Sequence, residues 1–328
     1  MKLFLPGAGA RMIPSLKSLP EVSSVVVSLN DEFAPGNFLA DRAYRLPRFD
    51  HPGFFPGVSA IHDLEKFDVC IPVLDAAMLA FTKPPADAFS GRFLTGMSPK
   101  AAVRIATDKI EIHRLFTGCG LPTPETWTLP DFLELSRQPF PCFLKPRYAE
   151  IRDLGGGIYR RLDDPTDLKY WASKLGAQAK GHVVQPLLTG SEININFFCD
   201  ADGEVRSIVP IARLAGEPGG SLTRGMILED TRFDHFCRKL AGAIRLWGSN
   251  ELQVMSDRDG GVQFTELNVR LNGGSHFLQA AGVDHFANLL RLIRGEPVDF
   301  PKGPNLIGMT SWEVMRTFTQ SPLRDVLK

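Results

Sequence analysis

The chain has 328 residues, enough for two or three domains with a substantial core. Its 37 Lys and Arg balance its 37 Asp and Glu, so no excess charge points to nucleic acid or an acidic membrane surface as a partner. Five widely spaced cysteines with no C-x-x-C pair argue against a zinc ribbon or a disulfide framework and fit a reducing cytoplasm; no stretch reaches the roughly 20 apolar residues of a membrane span.

Residues 1–7 hold one Lys and a short apolar run, too short for a signal peptide, and read as a first strand. The runs 2–5, 24–29 and 69–74 are rich in Val, Ile and Leu, as in parallel strands buried on both faces. Gly7-Ala-Gly9-Ala-Arg11 leads into a helix over 11–18. It is part of a G-x-G-x-x-G motif, but Met12 breaks it, leaving either a nucleotide loop or a tight strand-to-helix turn. Pro35, Pro47, Pro52 and Pro56 make 31–60 read as a wandering connection.

Helices are expected over 98–106 and from Asp108-Lys109 onward, closed by Gly118-Cys-Gly120-Leu-Pro122-Thr-Pro124. A new α/β unit follows. Lys145 ends a short strand, and Gly155, Gly156 and Gly157 form a glycine loop ten residues on. A Lys beside such a loop can hold phosphate oxygens; a surface Lys and turn glycines are the plain alternative. The loop is not a P-loop. Arg147, Arg152, Arg160 and Arg161 favour anion binding or form a solvated face. A helix over 164–174 and a strand over 182–188 come next.

Gln185-Pro186-Leu187-Leu188 joins two α/β units, and the backbone of such a connector can read an adenine edge. In 191–198, Glu192, Asn194 and Asn196 share one face of an alternating strand, with Ile193, Ile195 and Phe197 opposite. That polar face is either a ligand surface, with Glu192 accepting from ribose hydroxyls, or wet. Asp200 to Gly203 turns the chain into a strand over 204–211, followed by a loop carrying Arg213 and Arg224 and a helix over about 231–247.

Residues 251–257 and 262–270 flank an Asp/Gly turn and read as a β-hairpin. Glu266, Asn268 and Arg270 share a face, and a turn at 258–261 sets Gln253 opposite Glu266. Met255, Phe264 and Val262 are expected to continue that face, while Leu252, Val254, Leu267 and Val269 make the other face apolar. Burying unpaired charge is costly. A divalent ion with a polyphosphate behind it resolves the conflict, because carboxylate and amide oxygens suit Mg²⁺ and Arg suits phosphate. An exposed edge hairpin is the alternative. Residues 276–294 read as mostly helical.

Taken in order, Lys109, Lys145, the glycine loop, the 185–188 connector, Glu192, Gln253 and the Glu266-x-Asn-x-Arg-x-Asn-Gly-Gly-Ser275 segment resemble the ATP-grasp superfamily. The nearest flavour is the carbamoyl phosphate synthetase large subunit and its free-standing relatives. The phrases Ala34-Pro35, Ala40-Asp41-Arg42, Tyr44 to Pro47 and Ile71-Pro72 with Asp75 echo the pre-ATP-grasp domain of that family.

The resemblance implies an α/β protein: a parallel-sheet pre-ATP-grasp domain over 1–97, linker helices and a small lobe over 98–187, and a large lobe with a C-terminal segment over 188–328. It implies that Lys109 and Lys145 hold ATP phosphates under the loop of Gly155, Gly156 and Gly157. Gln185 and Leu187 would meet adenine, and Glu192 the ribose. Glu266 and Asn268, supported by Gln253, would carry Mg²⁺, with Mn²⁺ as a substitute. Arg270 would face the transferred phosphate, and Arg213 and Arg224 a substrate carboxylate or phosphate. Many relatives carry a carboxylate where this chain has Gln253, which leaves Glu266 as the one firm acidic ligand.

The implied activity is a carboxylate–amine ligase working through an acyl phosphate on small molecules, with a homodimer as one assembly that kinship allows. A kinase-like phosphotransferase and a non-catalytic nucleotide-binding subunit are the rival readings.

Overall fold

The computed structural model describes all residues except 8–9, 90, 150–156, 217–221, 258–259, 302, 304–307, 311–321 and 327–328. Gly155 and Gly156 of the glycine loop, together with Arg152, lie outside the described residues.

The first sheet is parallel, in the order Leu323–Asp325, Arg42–Arg45, Ser24–Ser28, Lys2–Pro6, Val69–Cys70, Leu94–Thr95. Its central strands, Lys2–Pro6, Ser24–Ser28 and Val69–Cys70, are largely apolar because both faces are covered, whereas Arg42–Arg45, Leu94–Thr95 and Leu323–Asp325 carry exposed residues. Leu3, Leu5, Val25 and Val27 pack against the helix Met12–Lys17 and the late helix His285–Ile293, whereas Phe4 and Val26 pack against the helix Phe54–Glu65. The stretch 31–60 is more regular than its prolines suggested, holding the helix Pro35–Leu39, the strand Arg42–Arg45 and the start of Phe54–Glu65. Pro35 and Pro56 fall in first turns of helices, where a missing N–H costs nothing. The strand Leu323–Asp325 completes this sheet from the far end of the chain.

The helices Lys100–Ala106 and Lys109–Gly118 lead into a four-stranded antiparallel sheet, ordered Trp127–Thr128, His182–Pro186, Cys142–Pro146, Arg160–Leu162. Cys142, Leu144, Leu162 and Val184 form its core with Phe132 and Leu168 from the helices Leu129–Leu133 and Pro165–Leu175.

The third sheet is antiparallel, in the order Val262–Asn268, Gly248–Ser256, Ser191–Cys199, Val205–Gly216, Leu222–Ile227, Gly308–Thr310. On one face Ile193, Ile195, Phe197, Leu252, Val254 and Leu267 pack on Phe116 of Lys109–Gly118 and on Cys237 and Leu240 of Asp234–Ile244. Fully burying each such Leu, Val or Phe stabilises by roughly 1.5–3 kcal/mol. The opposite face carries the polar residues.

The hairpin register pairs Gln253 with Glu266 as expected, but a bulge follows, and Val254 pairs with Phe264. The extra residue, Thr265, flips the parity of the strand. Phe264 and Val262 therefore turn to the apolar core with Val254, not to the polar face as the simple alternation implied. The bulge lets one strand serve both the core and the site.

Candidate functional site

Three strands of the third sheet build a polar grid. The register sets Asn194, Gln253 and Glu266 in one row, and Asn196, Glu251 and Asn268 in the next. Paired residues of an antiparallel sheet face the same side, so all six share it. Glu251, Asn194, Asn196 and Asn268 are buried.

The lysines reach this grid from two other elements. Asp108 caps the helix Lys109–Gly118 by accepting from the Ile110 N–H at 3.0 Å. Its carboxylate also takes a bidentate pair from Arg147, at 2.9 and 2.8 Å, and the Lys109 N–H donates to the Arg147 carbonyl at 3.0 Å. Arg147 thus locks the helix start to the end of the strand that bears Lys145, instead of facing an anion. Lys109 Nζ lies 3.0 Å and Lys145 Nζ 3.8 Å from the same Glu266 oxygen, Oε1. The two lysines are only 7% and 6% exposed. Burial lowers the Lys145 ammonium to about 8, aided by the Lys109 charge and opposed by Glu266. Two desolvated cations on one carboxylate form an anion site already bearing a stand-in charge.

Arg270 donates to Asp75 in a fork, Nε to Oδ1 at 2.6 Å and Nη2 to Oδ2 at 3.1 Å, and Nη2 lies 3.4 Å from Asn268 Oδ1. Asp75 opens the helix Asp75–Phe81, which follows the first sheet, so this pair ties that helix to the third sheet. Glu192 accepts from Arg213 Nη1 at 3.1 Å, and burial raises its carboxyl above the usual range while Arg213 opposes the rise. Arg224 is exposed on the neighbouring strand Leu222–Ile227 and is not gathered into this cluster.

In the connector, the Gln185 side-chain amide donates to Thr126 Oγ1 at 2.7 Å and the Leu187 N–H to the Pro141 carbonyl at 3.0 Å. Leu187 therefore keeps its carbonyl, not its N–H, for a nucleobase, which narrows the adenine contact expected of it. Gly157 has φ +104°, a backbone that favours glycine, and the Ile158 N–H beside it donates to His182 Nε2 at 3.2 Å.

Among the described residues, no group of three His, Cys, Asp or Glu forms a metal cage. The fit to a hard cation rests on a mixed set instead: the Glu266 carboxylate beside the amides of Gln253 and Asn268. Each of those amides donates its NH₂ to Glu251, at 3.2 and 3.1 Å, which turns its carbonyl oxygen away from Glu251; that of Asn268 meets Arg270 Nη2 at 3.4 Å. Oxygen donors of this kind suit Mg²⁺. Glu251 is the residue that sequence reasoning passed over. Period-two alternation puts it on the face of Gln253, two residues away, and that signal was available. Asp75 as the partner of Arg270 had no local signal, since the two are 195 positions apart in sequence.

A parallel sheet, a small antiparallel sheet and a larger one, with buried lysines converging on a Glu-x-Asn-x-Arg strand, define the ATP-grasp fold. Residues 178–312, less than half of the chain, match a family model described as "ATP-grasp in the biosynthetic pathway with Ter operon".

Solved structures share the fold at low identity. The biotin carboxylase domain of Hydrogenobacter thermophilus 2-oxoglutarate carboxylase, in complex with MgADP, ADP and bicarbonate, aligns with TM-score 0.70 and 15% identity, over 91% of this chain and 70% of that one. An L-amino acid ligase from Bacillus licheniformis gives TM-score 0.68 and 19% identity, over 89% and 74%. The N5-carboxyaminoimidazole ribonucleotide synthetase of Thermus thermophilus gives 0.67 and 19%, over 93% and 81%. No curated protein is a significant sequence match.

Proposed function

We propose that the protein is an ATP- and Mg²⁺-dependent ligase that activates a carboxylate as an acyl phosphate and joins it to an amine. The observation that carries this reading is the single Glu266 oxygen shared by two buried lysines. A polyphosphate entering the cleft offers Lys109 and Lys145 a stronger anion and frees Glu266 for a cation. Mg²⁺ held by Glu266 and the oxygens of Asn268 and Gln253 would neutralise phosphate charge during transfer.

Arg270, fixed by Asp75 beside Asn268, is placed to meet the transferred phosphoryl group and the acyl phosphate. The glycines at 155–157 would close over the phosphates and keep water from the acyl phosphate. The carbonyls of the 185–187 connector and the Glu192 carboxylate, set by Arg213, would take adenine and ribose. The solved relatives named above include one that holds MgADP and one that is an amino acid ligase, which supports the nucleotide, the metal and the ligase class. Gln253 opposite Glu266 supports kinship with carbamoyl phosphate synthetase-like proteins. All five cysteines are free and buried, which supports a cytoplasmic protein.

The test is release of inorganic phosphate and ADP across a panel of acids and amines. Turnover that needs both an acid and an amine is the expected result. ADP formation with an acceptor alone, and a phosphorylated product, would make the protein a phosphotransferase. No turnover, with nucleotide still bound, would make it a binding subunit.

A further inference from the structure

Glu251 sits at the centre of the polar grid, fully buried, and accepts from three side-chain amides. Asn194 Nδ2 donates to Oε2 at 3.0 Å, while Gln253 Nε2 and Asn268 Nδ2 donate to Oε1 at 3.2 and 3.1 Å. Burial raises the Glu251 carboxyl above the usual range, and the three donated amide hydrogens with the Arg270 charge oppose that rise and favour the ionised form, which only accepts hydrogen bonds. It therefore fixes which end of each amide turns toward it, and the planar amide sends the carbonyl oxygen elsewhere. A second observation points the same way: Asn194 Oδ1 is buried and has no hydrogen-bond partner among the described residues. A buried carbonyl oxygen without a donor is costly unless a ligand supplies one.

We propose that Glu251 is a positioning residue that turns the amide oxygens of Gln253, Asn268 and Asn194 toward a bound divalent cation. The inference deepens the ligase reading and rests on it. Carbonyl oxygens coordinate a hard cation, whereas an NH₂ group repels it. Without an acceptor-only group at 251, the amides of Gln253 and Asn194 could rotate by half a turn and present nitrogen, while that of Asn268 would keep only Arg270 to orient it. Glu251 would thus compensate for the missing carboxylate at Gln253 by preorganising neutral donors, at a distance from the metal itself.

The experiment compares wild type with Glu251→Gln, which keeps the shape but adds a donor. Calorimetry measures ADP affinity with and without Mn²⁺, and electron paramagnetic resonance reads the bound Mn²⁺. The variant is expected to bind metal-free ADP as wild type does, to lose about 10–100-fold in Mn²⁺ affinity, and to give an altered Mn²⁺ spectrum. Wild-type Mn²⁺ affinity in the variant overturns the inference while leaving the ligase reading intact. Failure of wild type itself to bind ADP with Mn²⁺ overturns both. Should the Gln variant not fold, Glu251→Asp withdraws the acceptor by one methylene and is expected to weaken Mn²⁺ binding in the same direction; unchanged affinity there overturns the inference equally.

Discussion

Glu266→Gln isolates the charge that holds the site together. The substitution leaves the Lys109 and Lys145 ammonium groups, now 3.0 and 3.8 Å from Glu266 Oε1, without their shared carboxylate. Removing one partner of a buried ion pair costs roughly 3–5 kcal/mol. Lys145 offers partial relief because it can shed its proton. Its folded value is already about 8, against 10.5 for the free side chain, and Glu266 is one of the influences holding it up.

The variant should therefore titrate lower still. A lysine whose folded pKa lies below its unfolded pKa binds fewer protons when folded, so stability rises with pH between the two values. The limiting slope is about 1.4 kcal/mol per pH unit. In wild type that window opens near 8; in the variant it opens earlier. Urea melts from slightly acid to mildly alkaline pH should show a large deficit in the variant that narrows as pH rises. Metal-free ADP should narrow it as well, since its phosphates replace the lost carboxylate, while Mg-dependent turnover disappears. Wild-type stability at neutral pH together with normal Mg-dependent turnover would refute both the ion-pair geometry and the metal assignment.

Wild-type ADP affinity should itself fall as pH rises through about 8, because a neutral Lys145 loses its pairing with phosphate. The loss approaches roughly tenfold per pH unit until the bound-state pKa is reached, and a flat calorimetric profile across that window would contradict the assignment. Arg270→Met should abolish turnover while sparing nucleotide affinity. It should also destabilise by roughly 3–5 kcal/mol by removing the guanidinium fork on buried Asp75. A double-mutant cycle with Asp75→Asn should then recover much of the stability and none of the activity; additive effects would deny that the pair is coupled.

Much of this site was legible because strand periodicity is a local property. Glu266, Asn268 and Arg270 announce a shared face by spacing alone, but Gln253 faces Glu266 only because the bulge offsets a turn that pairs Ser256, not residue 257, with Val262. Asp108 announces the helix that carries Lys109, because capping is also local. What could not be read is what depends on registers between distant strands. The bulge at Thr265 has no sequence mark, and it reverses where Phe264 points. The partnership of Arg147 with Asp108 and of Arg270 with Asp75 requires the tertiary fold. Glu251 is a different case: period-two spacing puts it on the face of Gln253, but spacing alone gives it no role.

The pairings also explain why metal and nucleotide should bind as partners. Three cations of the cleft already hold partners: Lys109 and Lys145 share Glu266, and Arg270 pairs with Asp75. A cation arriving alone must compete with two lysines for Glu266, and a triphosphate arriving alone must draw those lysines away from it. Arriving together, the triphosphate takes the lysines and the cation takes Glu266, so no charge is left unmatched. Cooperativity between metal and nucleotide then follows from these ion pairs, with no conformational change required.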